Sequence, residues 1–203
     1  MSRSGKSTLI ERLCRELDIR TVSEWNSDPL VKPLTDRLKT EQALSPVSFA
    51  LVHLLDFDQR YRRDILPALE RGEIVLCDRY LPTSVARDRC RGIDLAEVIA
   101  ERYRTPDACV YVEPDFGLIR ERFIAYPAKY GHYGLGRDLH PSGDDADSFI
   151  HYQREQHRHY VEALAGAEVL HWRVSEDPSA ARLLERLRST CPLPASRHSP
   201  STA

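Results

Sequence analysis

The sequence predicts an α/β protein built on a mainly parallel sheet. Two observations carry this. Four short apolar runs alternate along the chain with stretches of helical periodicity. Two of those runs, "IVLCDRY" and "ACVYVEP", place apolar residues consecutively rather than alternately. That is the pattern of strands buried on both faces, as parallel strands covered by helices must be.

The elements follow in order. Thr8–Leu17 sets Ile10, Leu13, Cys14 and Leu17 on one helical face. Ile19–Trp25 is a short strand, and "NSDP" gives a turn and a helix start before a helix over Leu30–Lys39. A long helix is expected from Pro46 to Glu70, with Pro67 kinking its last part because proline lacks the amide that the helix ladder needs. Ile74–Tyr80 is the second strand. Asp94–Arg104 is a helix with Asp94 as its N-cap. Ala108–Pro114 is the third strand and Asp115–Ile124 a helix. Tyr126–Asp147, rich in Gly, Pro, Tyr and His and without a period, is expected to be a mobile loop or lid. Ser148–Leu164 is a helix, Glu168–Val174 the fourth strand and Ser179–Arg188 the last helix. One domain over residues 1–190 is expected, with a disordered tail over 191–203.

Composition excludes several classes. Net charge is −2, from 29 basic and 31 acidic residues that are well mixed. That offers no electrostatic footprint for nucleic acid. No apolar run approaches the roughly 18 residues a membrane span needs. The five cysteines include no C-x-x-C pair and read as thiols of a reducing compartment. A cytoplasmic protein is the expectation.

Two motifs bear on chemistry. The chain opens "MSRSGKSTLIERL", and Gly5, Lys6 and Ser7 fit the end of the phosphate-binding pattern G-x-x-x-x-G-K-[ST]. Amides of Ser4 and Gly5 would cradle a phosphate at the positive end of the helix that starts with Thr8. Lys6 would neutralise phosphate oxygens and the Ser7 hydroxyl would ligate Mg²⁺. The alternative is an ordinary loop–helix junction. The pattern's first glycine would fall before Met1, so Met1 is expected to be an internal methionine of the loop, with a strand upstream. The second motif is Asp78-Arg79-Tyr80 at the end of a buried strand. Ligands of parallel α/β sheets bind at the carboxyl ends of strands. There Asp78 would hold Mg²⁺ and Arg79 would clamp an anionic substrate. The alternative is an Asp capping a turn beside a surface arginine.

The ordered set SGKST, "ILPALERGEIVLCDRY", "SVARDRCRGID" and "ACVYVEPDFGLIRERF" resembles the thymidylate kinases, within the P-loop nucleoside-monophosphate kinase fold. The resemblance spans Met1 to about Arg188. It implies a three-layer α/β/α fold whose first, central strand is missing here. It implies ATP and Mg²⁺ as cofactors, a nucleotide-like phosphate acceptor, and a homodimer. It also makes Arg3 a candidate for stabilising charge on the transferred phosphoryl, and Arg137 a lid arginine over ATP; Arg120, Arg122 and Lys129 also flank or lie in the lid.

Departures from the family pattern fall in the acceptor half. Ser2 and Ser23 stand where the family carries an aspartate and an arginine. The long helix reads "DFDQ", with Phe57 in place of a base-reading arginine, and Arg87-Asp88 replace a Tyr-Gln pair. Phe57, Arg79, Arg87 and Asp88 are therefore the expected acceptor contacts, with an acceptor other than dTMP. A true dTMP kinase, or an ATP-binding protein without turnover, are the alternatives. His151, His157 and His159 in "HYQREQHRHY" do not converge by helical spacing, so a solvated helix face is expected there rather than zinc ligands.

Overall fold

The structure is a computed structural model that describes residues 3–126, 131–141, 143–177 and 179–190. The expected tail over 191–203 and Lys129 lie outside the described residues. Strands and helices alternate as expected. Helix α1 is Lys6–Glu16, strand β1 Thr21–Ser23, α2 Val31–Thr40 and α3 Pro46–Arg60. A π-helical turn over Tyr61–Ile65 leads into α4, Leu66–Glu70. Then come β2 (Val75–Cys77), α5 (Leu81–Arg89), α6 (Leu95–Ile99) with a 3-10 turn over Ala100–Arg102, and β3 (Cys109–Val112). The chain continues with α7 (Phe116–Ala125), α8 (His132–Leu135), α9 (Asp145–Ala163), β4 (Val169–Trp172) and α10 (Ala181–Thr190).

All strand pairing is parallel. Strand β1 pairs with β2, Val22 opposite Leu76, and β3 pairs with β4, Val110 opposite Leu170. Among the described residues neither β2 nor β3 has a second strand partner, so the sheet exists as two separate pairs. This is the α/β arrangement with parallel strands that the sequence predicts. One core joins Leu9 and Leu13 of α1 to Val112, Leu170 and Trp172 of the β3–β4 pair and to Leu183, Leu184 and Leu187 of α10. Burial of such side chains contributes about 1.5–3 kcal/mol each, and it is this contact that fixes the start of α1 against β4.

Pro67 is accommodated as its chemistry requires. A proline ring crowds the carbonyl one turn earlier, and the widened turn over Tyr61–Ile65 lies immediately before α4. The helix therefore continues from Pro46 to Glu70 with a local change of pitch.

One helix was not foreseen from the sequence, and two expectations are corrected. Leu81–Arg89 is helical, although its sequence shows no amphipathic period; six of its residues are buried, on more than one face. Asp94 does not cap α6 with its side chain. Asp88 does that work, its carboxylate accepting the Ala96 amide at 3.1 Å. The described part of Tyr126–Asp147 is not a loose loop. It forms α8, buries Tyr133 and Leu135, and seats the Tyr133 hydroxyl on the Leu44 carbonyl at 2.5 Å. Gly136 ends α8 at φ +73°, and a Cβ there would sit 2.4 Å from Cβ of Tyr152, so only glycine lets α8 lie against α9.

Among the described residues no helix is long and apolar enough to cross a membrane.

Candidate active site

The loop before α1 makes its turn through Gly5 at φ +93°, a left-handed conformation that favours glycine. Its Cβ position faces Trp172 and Val174 at 3.8 Å, so the loop rests on the end of β4. Ser4 is buried; Ser7 and Thr8 are exposed in the first turn of α1. The Lys6 ammonium lies 2.5 Å from the Asp78 carboxylate, which follows β2. Burial lowers the Lys6 pKa, while the bond to Asp78, its charge and that of Glu24 pull it back up. The loop lysine, Asp78 and Glu24 thus meet where the carboxyl ends of β1 and β2 come together. Arg79 adds a further charge beside Lys6, from a backbone at φ +72°. That is a strained value for a non-glycine residue, of the kind that concentrates at functional sites.

A cavity of about 310 Å³ opens beside the loop, lined among others by Gly5, Thr8, Arg12, Arg122, Trp172 and Val174. Its size lies at the lower end of small-molecule pockets. Of the lid candidates Arg120, Arg122 and Arg137, Arg122 is among the residues that line it. Arg3 is held at the end of α7: its guanidinium donates to the carbonyls of Arg122 and Tyr126, lies 5.6 Å from the Phe123 ring centroid, and its own carbonyl accepts from Arg122 at 2.8 Å. It is directed to the helix terminus rather than to Lys6 and Asp78. Arg137 bonds Asp145 through Nε at 2.6 Å, and Arg120 reaches Asp147 at 3.4 Å.

A second cluster forms where the chain leaves β1. Trp25 stacks on His53, ring centroids 5.1 Å apart, and Phe49 meets the other side of His53 edge-on at 4.5 Å. The Arg87 guanidinium sits 5.6 Å from the Trp25 ring centroid and 4.9 Å from that of Phe49, and Arg79 lies 5.9 Å from Trp25. His53 is buried, and burial together with the charges of Arg87, Lys39, Arg91 and Arg79 holds its pKa well below the usual histidine range. Both its ring nitrogens are buried without a partner, as are Ser84 Oγ and Arg87 Nε. Buried polar groups are nearly always bonded, so these donors and acceptors stand ready for a further partner. Lys39, next to the cluster, is lowered to about 8, first by burial and then by Arg87.

Of the expected acceptor contacts, Arg79 and Arg87 are brought to this cluster. Phe57 is not: it lies fully buried among Tyr61, Tyr80 and Tyr103, with the nearest ring centroids at 4.9 Å. Asp88 is occupied with Ala96, and burial pushes its carboxyl up to about 6. Trp25, Lys39, Phe49 and His53 were not singled out from the sequence. A signal existed, since Phe49, His53 and Phe57 repeat every four residues on one face of α3.

Arg60, also missed, is fully buried. It donates to Asp56 at 2.9 Å and to Ser23 at 2.7 Å. Asp56 in turn accepts the Asn26 and Asp28 amides, each at 3.0 Å. This network pins the turn that presents Trp25.

Fold and loop together define an α/β protein whose first helix opens with the end of a phosphate-loop pattern, its lysine against an aspartate at the end of β2. Its sequence matches the profile of the family described as thymidylate kinase over residues 1–124. By that match the chain belongs to the thymidylate kinase family. Among similar curated proteins, "Probable thymidylate kinase 2" of Saccharolobus solfataricus is 38% identical over 94 residues, covering 45% of this chain and 44% of that protein. A thymidylate kinase of Staphylococcus epidermidis is 32% identical over 139 residues, 60% of this chain and 64% of its own length. One of Clostridium novyi is 30% identical over 133 residues, 58% and 64% of the two chains. The chain thus spans about half to two thirds of the length of these curated relatives.

Proposed function

We propose that the chain transfers the γ-phosphoryl group of ATP to a nucleoside monophosphate, and that the acceptor is not dTMP. The observation that carries the reading is the juxtaposition of Lys6 and Asp78 with the cationic, aromatic cluster of Trp25, His53, Arg79 and Arg87. Catalysis of this class needs no covalent intermediate; it needs two phosphorylated substrates held in line and their charge neutralised.

Each residue has a role in that scheme. Amides of the Ser4–Gly5 turn and the N-terminus of α1 bind the phosphates of ATP. Lys6 leaves Asp78 for the phosphate oxygens. The cavity beside Thr8 and Arg122 takes the nucleoside end of ATP. Arg79, Arg87 and Lys39 attract the acceptor's phosphate, and Trp25 offers a face for its base. His53, held neutral, supplies one donor and one acceptor to a base edge.

The donor set fits Mg²⁺: the Asp78 carboxylate and the exposed Ser7 hydroxyl are hard oxygen ligands. Ser7 and Asp78 would hold the ion, which supplies charge neutralisation at the phosphates. Arg3 reaches this centre only by leaving α7, so its catalytic part belongs to a closed state.

Exposed Val47, Leu51 and Leu55 make an apolar stripe along α3 that supports pairing of two copies.

The relatives' names favour dTMP as a second reading. The test is ADP formation with ATP·Mg²⁺ and a panel of nucleoside monophosphates. Acceptor-stimulated ADP with a monophosphate other than dTMP supports the proposal. Highest turnover with dTMP returns the acceptor to thymidylate. ATP binding with no acceptor-stimulated ADP favours a non-catalytic nucleotide-binding protein.

A further inference from the structure

Away from this site, the contact between α5 and α9 brings together three metal-ligating side chains that the phosphoryl-transfer scheme does not use. Cys90 closes α5, while Glu155 and His159 lie one turn apart on α9. One donor atom from each lies within 4.8 Å of the others. Cys90 and His159 are buried and Glu155 is half-buried, so His159 does not lie on the solvated face that the helical spacing suggested. We propose that Cys90, Glu155 and His159 form a binding site for a zinc-type divalent cation that clamps α5 to α9.

The donor set is the first support. Thiolate, imidazole and carboxylate together suit Zn²⁺, and three protein ligands leave a fourth position for water. Donors about 2.0–2.3 Å from one cation stand roughly 3.3–3.8 Å apart, so no pair has to close by more than about 1.5 Å.

The surroundings are the second. His159 Nδ1 lies 3.0 Å from a Glu162 carboxylate oxygen, and its Nε2 lies 3.1 Å from the Arg158 guanidinium. Because a guanidinium only donates, Nε2 is the accepting nitrogen and Nδ1 carries the proton to Glu162. A histidine whose Nδ1–H is held by a carboxylate, and whose Nε2 is an acceptor taken up only by an exposed arginine, has the tautomer and orientation in which histidine ligates metals. Glu155 is oriented as well, its second oxygen 2.8 Å from His140 Nε2.

Arg158 identifies the place as one that already attracts a cation. Its guanidinium lies between His159 Nε2 and Glu155, 3.9 Å from the latter, on a side chain that is 63% exposed. It can swing into solvent when the metal enters. The Cys90 thiol then gives its proton to solvent and binds as thiolate.

Cobalt(II) reports on such a site without reference to activity. Titrating the full chain with Co²⁺ should produce a thiolate-to-cobalt charge-transfer absorption that Zn²⁺ abolishes. The band should be lost in Cys90→Ser. Glu162→Gln should weaken the affinity about tenfold or more, and Arg158→Gln should tighten it, since the competing cation is gone. Absence of the band at saturating Co²⁺, or an equal band in Cys90→Ser, overturns the proposal. Should Cys90→Ser fail to fold, the two exposed variants decide: unchanged Co²⁺ affinity in both also overturns it.

Discussion

Replacing Asp56 with alanine strikes the centre of the network that presents Trp25. Asp56 neutralises Arg60 at 2.9 Å and accepts the Asn26 and Asp28 amides at 3.0 Å, and both ionic side chains are fully buried. The substitution leaves a guanidinium in the interior with only Ser23 as its partner. Breaking a buried ion pair from one side costs about 3–5 kcal/mol. Each buried amide left without an acceptor adds about 1–3 kcal/mol. A loss of at least about 4 kcal/mol is therefore expected, a large part of the about 5–15 kcal/mol that holds a domain together. Arg60→Met should cost less, about 2–3 kcal/mol, because Asp56 keeps its two amides. The double variant Asp56→Ala with Arg60→Met should cost less than the sum of the two single losses, since no buried charge remains uncompensated. Urea unfolding followed by circular dichroism measures all three. A loss below about 1 kcal/mol for Asp56→Ala, or strict additivity in the double variant, would refute the reasoning.

Trp25→Ala should raise the acceptor's KM at least about fivefold while leaving the KM for ATP within about twofold, because Trp25 belongs to the β1-side cluster and not to the cavity beside Gly5; steady-state kinetics with each substrate varied separates the two. Asp88→Asn should alter the pH dependence of stability. The carboxyl is pushed from 3.8 up to about 6 by burial, so the folded protein binds the proton more tightly than the unfolded one. That contribution is present below about pH 4 and is lost as pH rises through about 6. It amounts to up to about 3 kcal/mol. Thermal unfolding of the wild type should weaken across that window relative to Asp88→Asn, and parallel curves would contradict it.

Much of the fold was legible because buried parallel strands write themselves as unbroken apolar runs, as Val75–Cys77 and Cys109–Val112 do. The loop lysine and its aspartate were legible because their chemistry fixes residue type and order. Helix α5 was not, since a segment buried on more than one face carries no period to detect. The same burial explains the capping of α6: Asp88 lies eight residues from the amide it accepts, a relation set by the fold rather than by local spacing. The cluster around Trp25 and His53 was partly legible. Arg79 and Arg87 stood out by position, but Trp25 and His53 meet only after β1 and α3 pack. Phe57 shares the face of α3 with Phe49 and His53 yet lies two turns beyond Phe49, among tyrosines. Sequence period names the face; only packing decides which of its residues join the cluster.

On the proposed reading, Lys6, drawn from Asp78 to ATP, serves transfer to an acceptor bound at the Trp25–Arg87 cluster. Acceptor-stimulated ADP formation, compared between the wild type and Lys6→Ala under saturating ATP·Mg²⁺, tests it most directly. The account predicts turnover in the wild type that rises with acceptor concentration and falls at least about a hundredfold in Lys6→Ala, both proteins having the same circular dichroism. Acceptor-stimulated turnover retained in Lys6→Ala would contradict it.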